Sequence, residues 1–418
     1  MTLLDDSPAP APAPAPSRPA IKGNPWRPTF RGTALVTRIE LARRRPSAKG
    51  WVFYSLVVAA IVGIGVLLAV VTPEGRTSIP MELVLVLVLG AGMLIAPSLA
   101  ATSINGDSSE GVLAPLQMTR LTAGDLAIGK LLASWFIAFA VLLTMTPFLV
   151  YAFVRSGWHW DELLIVIGVI LFAVLTATAI GLAWSAIAAR AVASVSLAHL
   201  TTGFLALGTL LGFAFAQPLV SETVVNTQRY IDWERLPADQ QQAVDDFWMT
   251  GDASELDVDA LVCREDTWEY GVAHTDQIAW LLLANPVVMI GEVSPIVNPE
   301  TWEDDGRAAP GLFAEMHRNV SEARMGPSPS QLEGDAWDEC ADIAAQVAND
   351  GRPSAEQEAE WQAEQEEWEA RYEESATYDR APWIGLGVQG FLLLGSIWIV
   401  IRRLRVPYKK LSTGSRVA

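Results

Sequence analysis

The stretch "AGDLAIGKLLASWFIAFAVLLTMTPFLVYAFV", residues 123–154, decides how the chain is read. Gly124, Gly129 and Lys130 stand at the G-x-x-x-x-G-K spacing of a phosphate-cradling loop. Leu131 follows where such a loop carries the hydroxyl that holds Mg²⁺. No strand pattern precedes Gly124; "EGVLAPLQMTRLT" reads as short helical pieces broken at Pro115. Residues 131–154 then run without a charge, long enough to cross a bilayer. The stretch marks a membrane helix and the turn that feeds it.

The rest of the chain agrees. It has 418 residues, 51% of them apolar, and the apolar residues come in blocks. Uncharged runs near span length fall at 51–72, 83–102, 131–154, 163–189, 191–216 and 384–401, the last lengthened by Pro382 and Trp383. In lipid the backbone must satisfy its own polar groups, so these runs predict helices, with Pro97 and Pro147 as tolerated kinks.

Charge sets the predicted orientation. Residues 1–50 hold 9 Lys and Arg, 103–130 hold 2, Arg190 stands alone, and 402–418 hold 6. The positive-inside bias therefore puts both termini in the cytoplasm, which suits an even number of spans, and the expected location is the plasma membrane. The segment 217–383 carries 37 acidic and 9 basic residues, a net of −28, so the remainder is about +10. An acidic outer domain excludes nucleic acid and anionic lipid as its partners. Its charge reads as a solvated surface or as a collector of cations. Cys263 and Cys340 both fall in this segment, and two cysteines confined to the oxidising side fit one disulfide.

Smaller features follow. Residues 1–23 hold the Pro-Ala repeat "SPAPAPAPAPSRPA" and predict a disordered tail. Residues 24–50 mix Phe30, Leu35, Ile39 and Leu41 with Arg31, Arg38 and Arg43 to Arg45, as a basic interfacial helix would. Trp51, Trp158, Trp160 and Trp383 fall where an aromatic belt is expected. The apolar run in 277–295 is broken by Asn285-Pro286 and too short to span; a re-entrant helix pair and the core of the outer domain both fit it. Trp361, Trp368 and Tyr372 form one stripe on a Glu-rich helix, expected to pack on its own domain. His199 is an imidazole inside a span, read either as a hydrogen-bonded buried group or as part of a translocation path. No hydrolase motif and no Cys/His ligand cluster is present in the sequence, so no catalytic, cofactor or metal site is expected on this chain.

The loop "SINGDSSEGVLAPLQMTRLTAGDLAIGKLLASW", 103–135, resembles the signature loop of ABC-type exporter permeases of the second class. The positions that carry the resemblance are Glu110, Gly111, Leu116, Thr119, Leu121, Asp125, Gly129 and Lys130. "TRIELARRRPSAKG" resembles the family's amphipathic elbow helix, "ANPVVMIGE" its Asn-Pro segment before the last span, and "IRRLRVPYKK" its basic tail. The acidic part of 217–383 is larger than the short re-entrant helices usual in that family. The resemblance implies an all-α polytopic membrane protein. It would have an elbow helix at 24–50, five spans in 51–216 with a coupling loop at 103–127, an acidic extracellular domain at 217–383, a sixth span at 384–402 and a cytoplasmic tail at 403–418. It also implies export driven by two separate ATPase subunits, which hold the ATP and Mg²⁺, and a second permease copy, identical or not. Glu110, Gly111, Leu113, Leu116, Arg120, Leu121 and Asp125 would form the ATPase contact, with Leu113, Leu116, Met118 and Leu121 as apolar knobs. Gly129 would allow close packing, and Lys130 would sit at the cytoplasmic interface. The alternatives are a nucleotide-independent secondary transporter, against which nearly charge-free spans argue, and a sensory or scaffold protein acting through its outer domain.

Overall fold

The computed structural model describes residues 24, 26–44, scattered positions within 52–67, and 78–117, 119–295, 311–333 and 336–405. Most of the expected first span, the Pro-Ala tail and nearly all of the basic tail lie outside the described residues. The remainder is mostly helical. Five helical segments are long and apolar enough to cross a membrane: Ile79–Ser109, Ala123–Ser156, Trp160–Ile187, Ala191–Val220 and Pro382–Leu404. They match the second to sixth uncharged runs.

In chain order the elements begin with α1 (Phe30–Arg43), α2 (Ile79–Ala101), α3 (Ser103–Ser109) and α4 (Leu113–Gln117). Next come α5 (Ala123–Leu142), α6 (Thr146–Ser156), α7 (Trp160–Ile187), α8 (Ala191–Gly203) and α9 (Thr209–Ala216). The acidic segment adds β1 (Ser221–Ile231), α10 (Ala238–Thr250), β2 (Cys263–Ala273), α11 (Trp280–Leu283), α12 (Pro286–Val293) and α13 (Leu312–Met325). It ends with α14 (Pro329–Glu333), β3 (Ala336–Asp338), α15 (Glu339–Ala348) and α16 (Ala355–Thr377), before α17 (Pro382–Leu404).

All five segments are longer than their uncharged runs, and the first two exceed them most, because those helices continue through charged residues. α2 runs on through α3 past buried Asp107, and α5 starts eight residues ahead of its run and includes Asp125 and Lys130. A charge ends a run in the sequence, but does not end a helix when a partner neutralises it. Within the bundle α7 is the central helix, buried along much of its length against α2. Gly181 sets that approach: a Cβ there would lie 2.6 Å from the Pro97 carbonyl oxygen. Small residues at helix crossings do this generally in membranes.

The acidic segment corrects the expectation of an all-α protein. β1 and β2 form an antiparallel ribbon from Ser221↔Ala273 to Ile231↔Cys263, and β3 joins β1 in parallel at Thr227↔Ala336 to Arg229↔Asp338. The strands "SETVVNTQRYI" and "CREDTWEYGVA" are rich in Val, Thr, Tyr and Trp, a strand composition that the density of acidic residues disguised. Ile231, Leu236, Val244, Phe247, Leu256 and Ile343 make a small core beside them. The Cys263–Cys340 disulfide ties β2 to α15 across a Cα separation of 6.5 Å.

The apolar segment before α13 is a bent pair. Thr275–Leu283 and Pro286–Val293 meet at 92°, with Asn285 and Pro286 at the break. Both Asn285 oxygen contacts, from the backbone N–H groups of Val287 and Val288, cap α12. Two aromatic expectations fail. Trp158 is buried against Phe313, with ring centroids 6.5 Å apart, because α13 covers it. Trp361 and Trp368 stand exposed, while Tyr372 packs beneath Arg318.

Candidate functional site

The turn at residue 123 is built around one carboxylate. Asp125 accepts the Thr122 backbone N–H at 2.9 Å while the Thr122 hydroxyl accepts the Asp125 N–H at 3.0 Å, a reciprocal cap for α5. Its other oxygen accepts from the backbone N–H and hydroxyl of Thr29, the residue that caps α1. A single buried side chain therefore sets two helix N-termini side by side.

From there α1 lies along the first turns of α5. A Cβ on Gly124 would lie 2.9 Å from the Trp26 carbonyl oxygen, and one on Gly129 would lie 2.6 Å from the Cβ of Val36. The Thr37 hydroxyl donates to the Gly129 carbonyl at 3.2 Å. The glycines of the phosphate-loop spacing are thus the surface on which α1 and the residues leading into it rest.

Lys130 completes the face and corrects the sequence reading. It is fully buried rather than interfacial, and its ammonium donates to Glu40 and to Asp107, each at 2.5 Å. Arg43 reaches Asp107 at 2.5 Å and Glu110 at 3.7 Å, and Arg44 reaches Glu40 at 3.6 Å. Arg44 also donates to the Leu99 carbonyl and the Ser134 hydroxyl. Three cations and three carboxylates from α1, α3 with its C-cap, and α5 thus balance in one cluster. Its hydrogen bond to Asp107 raises the Arg43 guanidinium above its ordinary value, whereas burial lowers that of Arg44 against the pull of Glu40. A buried charge persists only with such partners.

The residues expected to contact an ATPase divide into two groups. Glu110, Gly111 and Arg120 are exposed, and Gly111 ends α3 with φ of 71°. Leu113 is buried, and Leu116 and Leu121 are half-buried, packing into the apolar cluster of Val36, Ile104, Leu126, Leu131 and Leu404. Asp125 is buried by the caps described above. The loop is also pinned to the end of α17, since the Gln117 amide donates to the Leu404 carbonyl at 3.1 Å. Met118 lies outside the described residues. His199 is elsewhere, on α8, with Nε2 2.8 Å from the Ser98 hydroxyl of α2.

A second polar cluster seats the acidic segment on the bundle. Glu82 of α2 accepts the Phe313 N–H at the start of α13. Glu292 of α12 pairs with His317 of α13 at 2.7 Å and accepts the Ala381 N–H before α17 at 2.7 Å. Arg380 donates to the Gly291 carbonyl, and burial pulls its pKa down to about 10 against the nearby charge of Glu292. Ser321, His317 and Glu292 lie in the order of a nucleophile triad. Ser321 is fully buried, however, and His317 Nε2 faces the Tyr378 carbonyl at 3.2 Å, so that nitrogen is not free to act as a base. No family model and no curated protein matches the chain.

Sequence reasoning missed Glu40, Arg43, Arg44 and Asp107 as one unit with Lys130. Glu40 is the one acidic residue of the amphipathic segment 24–50, but its partner lies 90 residues on and nothing local links the two. Among the described residues no group of three or more His, Cys, Asp or Glu could hold a metal ion.

Proposed function

We propose that this chain is the membrane subunit of an ATP-driven exporter, moving its substrate out of the cytoplasm while two separate ATPase subunits hydrolyse ATP. A second permease copy completes the path, and both termini and the Glu110–Arg120 loop face the cytoplasm. The observation that carries this reading is the six-charge cluster behind that loop. Because Lys130, Glu40 and Asp107 fasten α1, α3 and α5 together, a force applied at the exposed edge of the loop moves three helices as one body. ATPase closure could then bias a two-state change in the spans. The chain's own phosphate-loop spacing is occupied by packing: Trp26 and Pro28 cover Gly124, and Lys130 is committed to two carboxylates.

The test targets exposed positions, since Leu113, Leu116 and Leu121 serve the protein's own core. Arg120→Glu with Pro115→Glu, both at exposed positions, should release the ATPase yet leave the permease folded. Co-purification of the double variant with an ATPase, with ATP turnover intact, would overturn the assignment. So would the failure of the unaltered chain to capture any ATPase.

A further inference from the structure

Helix α16 is tied down at both ends and bare between them. At its start Gln357 is buried and donates to Asp342 of α15 at 3.0 Å. At its end Ser375 is buried, the Arg318 guanidinium lies 5.0 Å from the centre of the Tyr372 ring, and Arg371 donates to the Gly326 carbonyl. Every residue from Glu358 to Ala370 is exposed, although Ser330 donates to Glu367 across that stretch.

Gln357, Trp361, Trp368, Tyr372 and Ser375 follow helical spacing and so fall on one face. That face is covered at both ends and presents Trp361, 50% exposed, and Trp368, 66% exposed, in the middle. Trp368 is held in place by stacking on Tyr372, with centroids 5.5 Å apart. Glu360, Glu364 and Glu367 flank the two rings on one side and Glu358 and Glu369 on the other, and the stretch from Glu358 to Ala370 holds no Lys or Arg; Arg371, one turn beyond Trp368, is committed to the Gly326 carbonyl. Alternating signs along a helix face let it lace itself with ion pairs, and this stretch carries one sign alone. Here Glu360 with Glu364 and Glu364 with Glu367 repel at one-turn spacing, which destabilises the bare helix. Cations laid along the face would remove that repulsion, and two fixed indoles offer apolar and cation–π contacts.

We propose that this face of α16 is a docking site for a cationic amphipathic peptide segment. Its apolar side chains would cover Trp361 and Trp368, and its Lys or Arg side chains would meet the flanking glutamates. A second copy of this chain would bring the same negative charge to the contact, and an anionic lipid surface would be repelled. The proposal does not depend on the exporter reading.

The experiment uses the full chain in zwitterionic nanodiscs and a fluorescein-labelled peptide of Lys and Leu at amphipathic helical spacing. Empty nanodiscs serve as the blank and fluorescence anisotropy as the readout. Binding should weaken at least tenfold in the Trp361→Ala, Trp368→Ala double variant. It should also weaken at least tenfold between 50 mM and 500 mM salt. A Lys/Ser peptide of equal charge should bind at least tenfold more weakly than the Lys/Leu peptide. An intact Cys263–Cys340 disulfide by mass mapping and unchanged thermal unfolding establish that the double variant is folded; if it is not, Trp368→Gln alone takes its place. Three results overturn the proposal: equal binding by the folded tryptophan variant, no preference for the amphipathic peptide, or a tryptophan-dependent self-association with no peptide binding.

Discussion

Replacing Lys130 with Met removes one charge from a cluster in which burial makes every charge count. The Lys130 and Asp107 side chains are 0% exposed and that of Glu40 is 4% exposed. Met keeps the length and the unbranched shape, so packing changes little. Removing one partner from a buried ion pair costs about 3–5 kcal/mol, chiefly through the charge left behind. Both carboxylates here keep an arginine: Asp107 holds Arg43 at 2.5 Å, and Glu40 holds Arg44 at 3.6 Å. That places the expected loss at the lower end, about 3 kcal/mol, or roughly a hundredfold in the folding equilibrium. The second variant, Lys130→Met with Asp107→Leu, removes one charge of each sign. It leaves Arg43 with Glu110 and Arg44 with Glu40, and it should recover at least half of the loss, because restored charge balance outweighs the missing pair. Reversible unfolding in mixed micelles titrated with SDS measures both. A Lys130→Met variant within about 0.5 kcal/mol of the parent, or a double variant no better than the single one, would refute the reasoning.

Two further outcomes are expected from the acidic segment and the bent pair. Cys263→Ser with Cys340→Ser opens a loop of 77 residues, which by chain entropy should lower the stability of the segment by about 4 kcal/mol; a two-cysteine parent and a serine variant with equal resistance to limited proteolysis would count against this. Asn285→Ala should loosen the π turn at Phe204–Gly208, because the fully buried Asn285 amide donates to the Ala206 carbonyl at 2.7 Å and the Thr209 hydroxyl at 2.9 Å. A π turn leaves backbone carbonyls without their ordinary helical donor, so the loss is about 1–3 kcal/mol. Hydrogen exchange should rise at residues 204–209, and unchanged protection there would show that the clamp is not needed.

Much of the membrane part was legible in the sequence, because bilayer thickness and the need to satisfy backbone groups impose a length and a composition that can be counted. Five of the six uncharged runs are helices of spanning length, and the disulfide followed from there being two cysteines in one segment. The break at Asn285-Pro286 was also visible, since Pro cannot continue a helix and Asn caps the next one; its place against a π turn was not. The sheet was missed because β1 and β2 pair residues that are up to 52 positions apart, and nothing local announces such a partner.

What the tertiary structure alone decided is the meaning of the opening stretch. Gly124, Gly129 and Lys130 have the spacing of a nucleotide loop, and the missing hydroxyl, the missing strand and the uncharged run that follows showed only what they are not. Their use depends on α1, about 90 residues earlier in the chain, whose Val36, Thr37 and Glu40 meet Gly129 and Lys130. A lysine at the head of a span reads as an interfacial charge, because its partners lie on other helices. The cost of burying it is met only when Glu40 and Asp107 arrive together, and that convergence is a property of packing between helices, not of any local run of residues.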